Sequence, residues 1–106
     1  MTFMNTLTPS QNNVASLLKE KSSLFSSFKY VYLFGSVLIS GAINNDIDIL
    51  LIYDNYSDRL LTDLKVISDT LEEKLGLYID LTVLSEEEER ETNFISKLKN
   101  QYLRIK

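Results

Sequence analysis

The chain has 106 residues, 44% of them apolar and 25% charged, and carries a net charge of −4, which suits one globular core over residues 1–106 and leaves no room for a second substrate-binding domain. The sequence contains no cysteine and no histidine; that excludes disulfides, thiolate or imidazole metal ligation, a Ser-His-Asp triad and a histidine general base, so any metal must sit among oxygen ligands, as magnesium, manganese or calcium do. The acidic balance disfavours general nucleic-acid binding, which draws on a basic face to neutralise phosphates.

Residues 1–9 form a polar lead-in, and Pro9-Ser10 then opens a first helix on which Val14, Leu17, Leu18, Leu24, Phe25 and Phe28 recur at helical spacing. Residues 29–34 (KYVYLF) are aromatic and β-branched, the pattern of a buried strand, which ends at Gly35-Ser36. Residues 37–45 read as a short linker with Gly41, and 46–53 (DIDILLIY) as a second strand. The span 58–75 is a helix with Leu60, Leu64, Ile67, Leu71 and Leu75 on one face, closed by Gly76 as C-cap. Residues 77–84 (LYIDLTVL) make a third strand. Ser85 and Glu88 then match a capping box, so the glutamate run 86–89 is a solvated helix start, with Phe94, Ile95 and Leu98 on that helix's buried side. Residues 102–106 are a tail or a short extra strand. The order α-β-β-α-β-α predicts an α/β (α+β) sandwich: a small mixed sheet with helices mainly on one face. No apolar run reaches the roughly 20 residues of a membrane span, and the N-terminus lacks the pattern of a signal peptide, so the expected location is the cytoplasm.

Three aspartates carry the chemistry. Asp46 and Asp48 stand two apart at the start of an otherwise apolar strand, so both carboxylates project from one face. Like charges so close each disfavour ionisation of the other, and a divalent cation relieves them. Asp80 interrupts the third strand, and if strands two and three are neighbours it faces the pair. Three carboxylates around one or two metal ions can clamp a nucleoside triphosphate and activate a hydroxyl. Gly35-Ser36, at the end of the first strand, offers backbone N–H groups and a hydroxyl to an anion. A solvated strand end and an ordinary turn are the plain structural alternatives for Asp-x-Asp and Gly-Ser taken singly; the combined spacing favours the site.

That combination, FGSVLISGAINNDIDILLIY followed by IDLTVL, resembles the signature of the DNA polymerase β-like nucleotidyltransferases, in which Gly-Ser precedes Asp-x-Asp by about nine residues and a later strand carries a third acid. The resemblance covers residues 31–84, about half of the chain, and implies the nucleotidyltransferase fold. By it, Asp46 and Asp48 bind two metals (Mg2+, with Mn2+ as a substitute), Asp80 joins at the catalytic metal and activates the acceptor hydroxyl, and Gly35 and Ser36 hold the triphosphate of ATP. The sequence departs from the family where an arginine and a glycine commonly follow Gly-Ser: Leu38, Ile39 and Ser40 stand there, with Gly41 one step late, and Asn45 replaces the serine common before Asp-x-Asp. Arg59, Lys65 and Lys74 are the basic residues to consider as replacements. In length the chain resembles the minimal nucleotidyltransferase antitoxins paired with HEPN-domain toxins, which implies AMP transfer to a tyrosine of a toxin partner, in a homo- or hetero-oligomer. Transfer to RNA or to a small hydroxyl compound, and neutralisation of a partner by contact alone, are the competing functions.

Overall fold

A computed structural model of the protein describes residues 9–38 and 46–106. Helix α1 (Pro9–Glu20) leads through a 3₁₀ turn (Ser22–Phe25) into β1 (Tyr30–Phe34), and a second 3₁₀ turn covers Gly35–Leu38. Strand β2 (Asp46–Tyr53), helix α2 (Arg59–Leu75) and strand β3 (Tyr78–Ser85) follow; two short helices, α3 (Glu86–Thr92) and α4 (Phe94–Lys97), and strand β4 (Tyr102–Arg104) end the fold. Residues 1–8 of the expected lead-in and most of the expected linker, with Ile39, Ser40, Gly41 and Asn45, lie outside the described residues, and Pro9 already begins α1.

The four strands form one mixed sheet in the order β3-β2-β1-β4, with β2 parallel to β3 and both other pairings antiparallel. The parallel pair needs a crossover, and α2 supplies it. Val31, Leu33, Ile47, Ile49, Leu51, Ile79 and Leu103 share one face, where they join Val14, Ala15 and Leu18 of α1 and Leu60, Ile67 and Leu71 of α2 in a single core. The opposite face carries the shorter cover of α3 and α4: Phe94 meets Phe34 edge-on at 5.5 Å, and Leu50 and Ile52 are buried there too. The mixed sheet with its two long helices on one face is therefore as the sequence predicts.

Two details differ, and a third takes one of two expected forms. The expected first helix, running through Phe28, stops at Glu20. Ser22 and Ser23 are poor helix-interior residues because their hydroxyls compete for backbone groups, and the tight turn still delivers Phe25 and Phe28 to the core. Lys106 holds that turn, donating from Nζ to the carbonyls of Phe25 (2.9 Å) and Phe28 (2.6 Å). The expected final helix is broken at Asn93, whose left-handed φ of 52° ends α3; asparagine tolerates that conformation better than most residues. Phe94, Ile95 and Leu98 are consequently only half-buried. Of the tail and the short extra strand expected for residues 102–106, the strand forms: β4 pairs with β1 and adds a final β to the element order.

Several local signals hold. The capping box is formed in both directions, Glu88 N–H donating to Ser85 Oγ (3.0 Å) and Ser85 N–H to Glu88 Oε1 (2.8 Å). Gly76 takes the left-handed C-cap at φ 68°. Among the described residues no helix is long and apolar enough to cross a membrane.

The two faces of α2 make a direct test of where the core lies. Leu71 is fully buried, whereas Leu61 is 68% exposed. Replacement of Leu71 by alanine is expected to cost about 2–5 kcal/mol of unfolding free energy, and that of Leu61 less than about 0.5 kcal/mol, in urea titrations.

Candidate functional site

The sheet brings Asp46, Asp48 and Asp80 together. Parallel pairing sets Asp48 level with Asp80 and Asp46 level with Tyr78, and alternation along each strand puts all three carboxylates on the face away from α1 and α2. One oxygen from each lies within 4.8 Å of the others. Asp46 and Asp48 are half-buried, while Asp80, on the edge strand, is exposed.

Gly35 closes the cluster on the other side. Phe34, the last residue of β1, pairs with Asp48, so the chain turns at Gly35 directly beside that carboxylate. A Cβ at Gly35 would overlap Asp48 Oδ2 and stand 2.9 Å from its Cγ, and the φ of 84° is itself a conformation that side chains disfavour. Ser36 follows within the same 3₁₀ turn. Gly35, Ser36 and the aspartates thus meet at one end of the sheet, as the spacing suggests.

A residue that sequence reasoning passed over fixes this turn. Gln11 of α1 is 5% exposed, and its Nε2 donates to the carbonyl of Val37 at 2.8 Å. The bond ties the helix to the segment just after Gly35-Ser36, and a buried bond of this kind is costly to lose. The available signal was that Gln11 precedes Val14 and Leu18 by three and seven residues, a polar residue on the apolar stripe.

The candidate cationic replacements for the family arginine do not reach the site. Arg59, Lys65 and Lys74 are exposed positions of α2, which packs on the opposite face of the sheet, and Lys65 pairs with Asp69 at 3.0 Å. Among the described residues no lysine or arginine makes an ion pair with any of the three aspartates; the two recorded pairs are Lys29–Glu86 and Lys65–Asp69. A cavity of about 150 Å³, lined by Tyr30, Tyr32, Ile52 and residues of α3 and α4, lies toward the other end of the same sheet face, and none of the aspartates lines it.

Uncompensated, the cluster raises the pKa of its innermost member. Burial, then the charges of Asp46 and Asp80, push the Asp48 carboxyl up to about 6, and when protonated it donates a hydrogen bond to Asp80. Three carboxylates with no nitrogen or sulfur donor, held together without a lysine or arginine partner, suit a hard divalent cation. The chemistry open to such a centre is charge neutralisation of an anionic substrate and activation of a hydroxyl.

The profile of the nucleotidyltransferase domain family matches residues 14–105. No curated protein sequence matches the chain. Solved structures do. A Sulfolobus solfataricus protein described as a nucleotidyltransferase is 22% identical, with a TM-score of 0.54 over 90% of this chain and 81% of that one. A chain from the Shewanella oneidensis complex of a tri-AMPylated HEPN toxin with an MNT antitoxin is 20% identical, with a TM-score of 0.55 over 92% and 71%. A toxin–antitoxin MntA-HpeT mutant is 18% identical, with a TM-score of 0.55 over 91% and 72%. At these identities the likeness establishes a common fold.

Two outcomes follow from the site's geometry. Because the folded-state pKa of Asp48 lies above the roughly 3.9 of an unfolded aspartate, the unfolded chain releases this proton first. This group therefore favours the fold most below pH 4, and that contribution is lost as pH rises from about 4 through about 6. The metal-free protein is expected to melt lower at pH 7 than at pH 5, Asp48→Asn is expected to flatten that difference, and millimolar Mg2+ is expected to raise the pH 7 midpoint of the wild type but not of the variant, all by scanning calorimetry. Gly35→Ala is expected to destabilise the protein by about 1–3 kcal/mol and to weaken Mn2+ binding, read by electron paramagnetic resonance, because the new methyl group displaces Asp48.

Proposed function

The chain belongs to the nucleotidyltransferase domain family, and from that premise we propose that Asp46, Asp48 and Asp80 transfer AMP from ATP to a tyrosine hydroxyl of a HEPN-domain toxin, making the protein its antitoxin. The observation that supports this most is the meeting of three carboxylates and the Gly35-Ser36 turn at one end of the sheet. The structural likeness to a chain from a complex in which a HEPN toxin carries AMP supports the choice of partner.

In this reading Gly35 N–H and the Ser36 hydroxyl donate to the triphosphate, and Asp46, Asp48 and Asp80 hold Mg2+, or Mn2+ in its place. The metal, when bound, neutralises charge on the phosphates and on the developing transition state. The acceptor oxygen bonds to the α-phosphorus as the bond to the β-phosphate oxygen breaks, and pyrophosphate leaves in line. Asp80, the exposed member of the cluster, takes the hydroxyl proton. The partner provides the docking surface, and the cytoplasm, where ATP is available, is the place of action.

The test is intact mass spectrometry of a HEPN-domain protein, sought first among the products of neighbouring genes, after incubation with this chain, ATP and Mg2+. One or more added AMP groups on that protein, absent with the Asp46→Ala/Asp48→Ala variant, are expected. A stable complex with no mass gain would instead favour neutralisation by contact.

A further inference from the structure

Tyr78 stands beside the carboxylate cluster and belongs to no part of the site described above. It is 62% exposed and is the first residue of β3, which is an edge strand among the described residues. Its Cα is the register partner of Asp46, about 4.8 Å away as neighbouring strands are spaced. It precedes Asp80 by two residues, so its side chain leaves the same face of the sheet as the three aspartates. The phenol is longer than a carboxylate, so from this position its hydroxyl has the length to pass the carboxylate tips. The other strand tyrosines on this face differ: Tyr30, Tyr32 and Tyr102 are half-buried, with Tyr32 against Tyr102 and Arg104 over Tyr30.

The direction of the reaction gives this position its meaning. In an in-line displacement the attacking and leaving oxygens lie on opposite sides of the phosphorus. With the triphosphate held at Gly35-Ser36, at the β1 side of Asp48, pyrophosphate departs over β1. The attacking hydroxyl then enters over the β3 edge, where Asp80 and Tyr78 stand.

Resting on the transferase reading above, we propose that this chain also modifies itself: the Tyr78 hydroxyl acts as an acceptor in its own site. Tyr78 Oη bonds to the α-phosphorus of the nucleoside triphosphate, the bond from that phosphorus to the bridging oxygen breaks, pyrophosphate leaves, and the phenolic proton passes to Asp80 or to water. The product is an O-nucleotidyl tyrosine. It occupies the acceptor side of the cluster and competes with transfer to a partner.

The experiment incubates the purified chain alone with ATP and Mg2+ and reads intact mass and the modified peptide. A gain of one AMP located on Tyr78 is expected, absent from Tyr78→Phe and from Asp46→Ala/Asp48→Ala. Because Tyr78 is exposed, the phenylalanine variant is expected to fold and to keep transfer to the HEPN partner. When Tyr78→Phe is mixed with the inactive Asp46→Ala/Asp48→Ala chain, the inactive chain is expected to stay unmodified; AMP on its Tyr78 would overturn reaction within one chain. An unmodified wild-type chain that still modifies the partner would overturn self-modification and leave the transferase reading standing. No AMP on either protein would overturn both.

Discussion

The structure turns on the close approach of Gly35 to Asp48. Antiparallel register sets Phe34 opposite Asp48, and the next residue must leave the strand at positive φ without a side chain, because a Cβ there would run into the carboxylate. Asp48 is thereby hemmed in by backbone on one side and by Asp46 and Asp80 on the others. Burial and like charge together explain its raised pKa. A glycine and three acids that are far apart in sequence become one electrostatic unit through the pairing of β1, β2 and β3.

That unit works against stability, and the rest of the fold compensates for it. Ile47, Ile49, Leu50 and Leu51 are fully buried within the same strand that begins with two acids. Their burial on both faces pins the register, since a slip of one residue would carry the acids into the core between the sheet and its long helices. Gln11 adds a second restraint from α1 on the segment following Gly35-Ser36. The carboxylates are thus held close by packing that has nothing to do with charge, and a bound cation is what removes the repulsion that packing imposes.

Much of this was legible in the sequence because it rests on short periods. Asp46, Asp48 and Asp80 were readable as acids in apolar strands, the stripe Leu60–Ile67–Leu71 as a helix face, and Ser85 with Glu88 as a cap. What was not legible depends on contacts distant in sequence. The break after Glu20 keeps the apolar spacing of the helix it interrupts, so periodicity alone passes over it. Residues 102–106 could be read as a tail or a short strand, and the edge that β1 offers is what makes Tyr102–Arg104 into β4. The parallel register that levels Asp48 with Asp80 is fixed by the α2 crossover, and the role of Gln11 appears only when its carbonyl partner, 26 residues away, is in place.

Whether the three aspartates act as one cation centre is tested most directly by crystals grown with Mn2+ and an anomalous difference map. The expected result is density for manganese ligated by oxygens of Asp46, Asp48 and Asp80 beside the Gly35 turn. A map with no manganese among these carboxylates, in crystals that bind it elsewhere, would contradict the account.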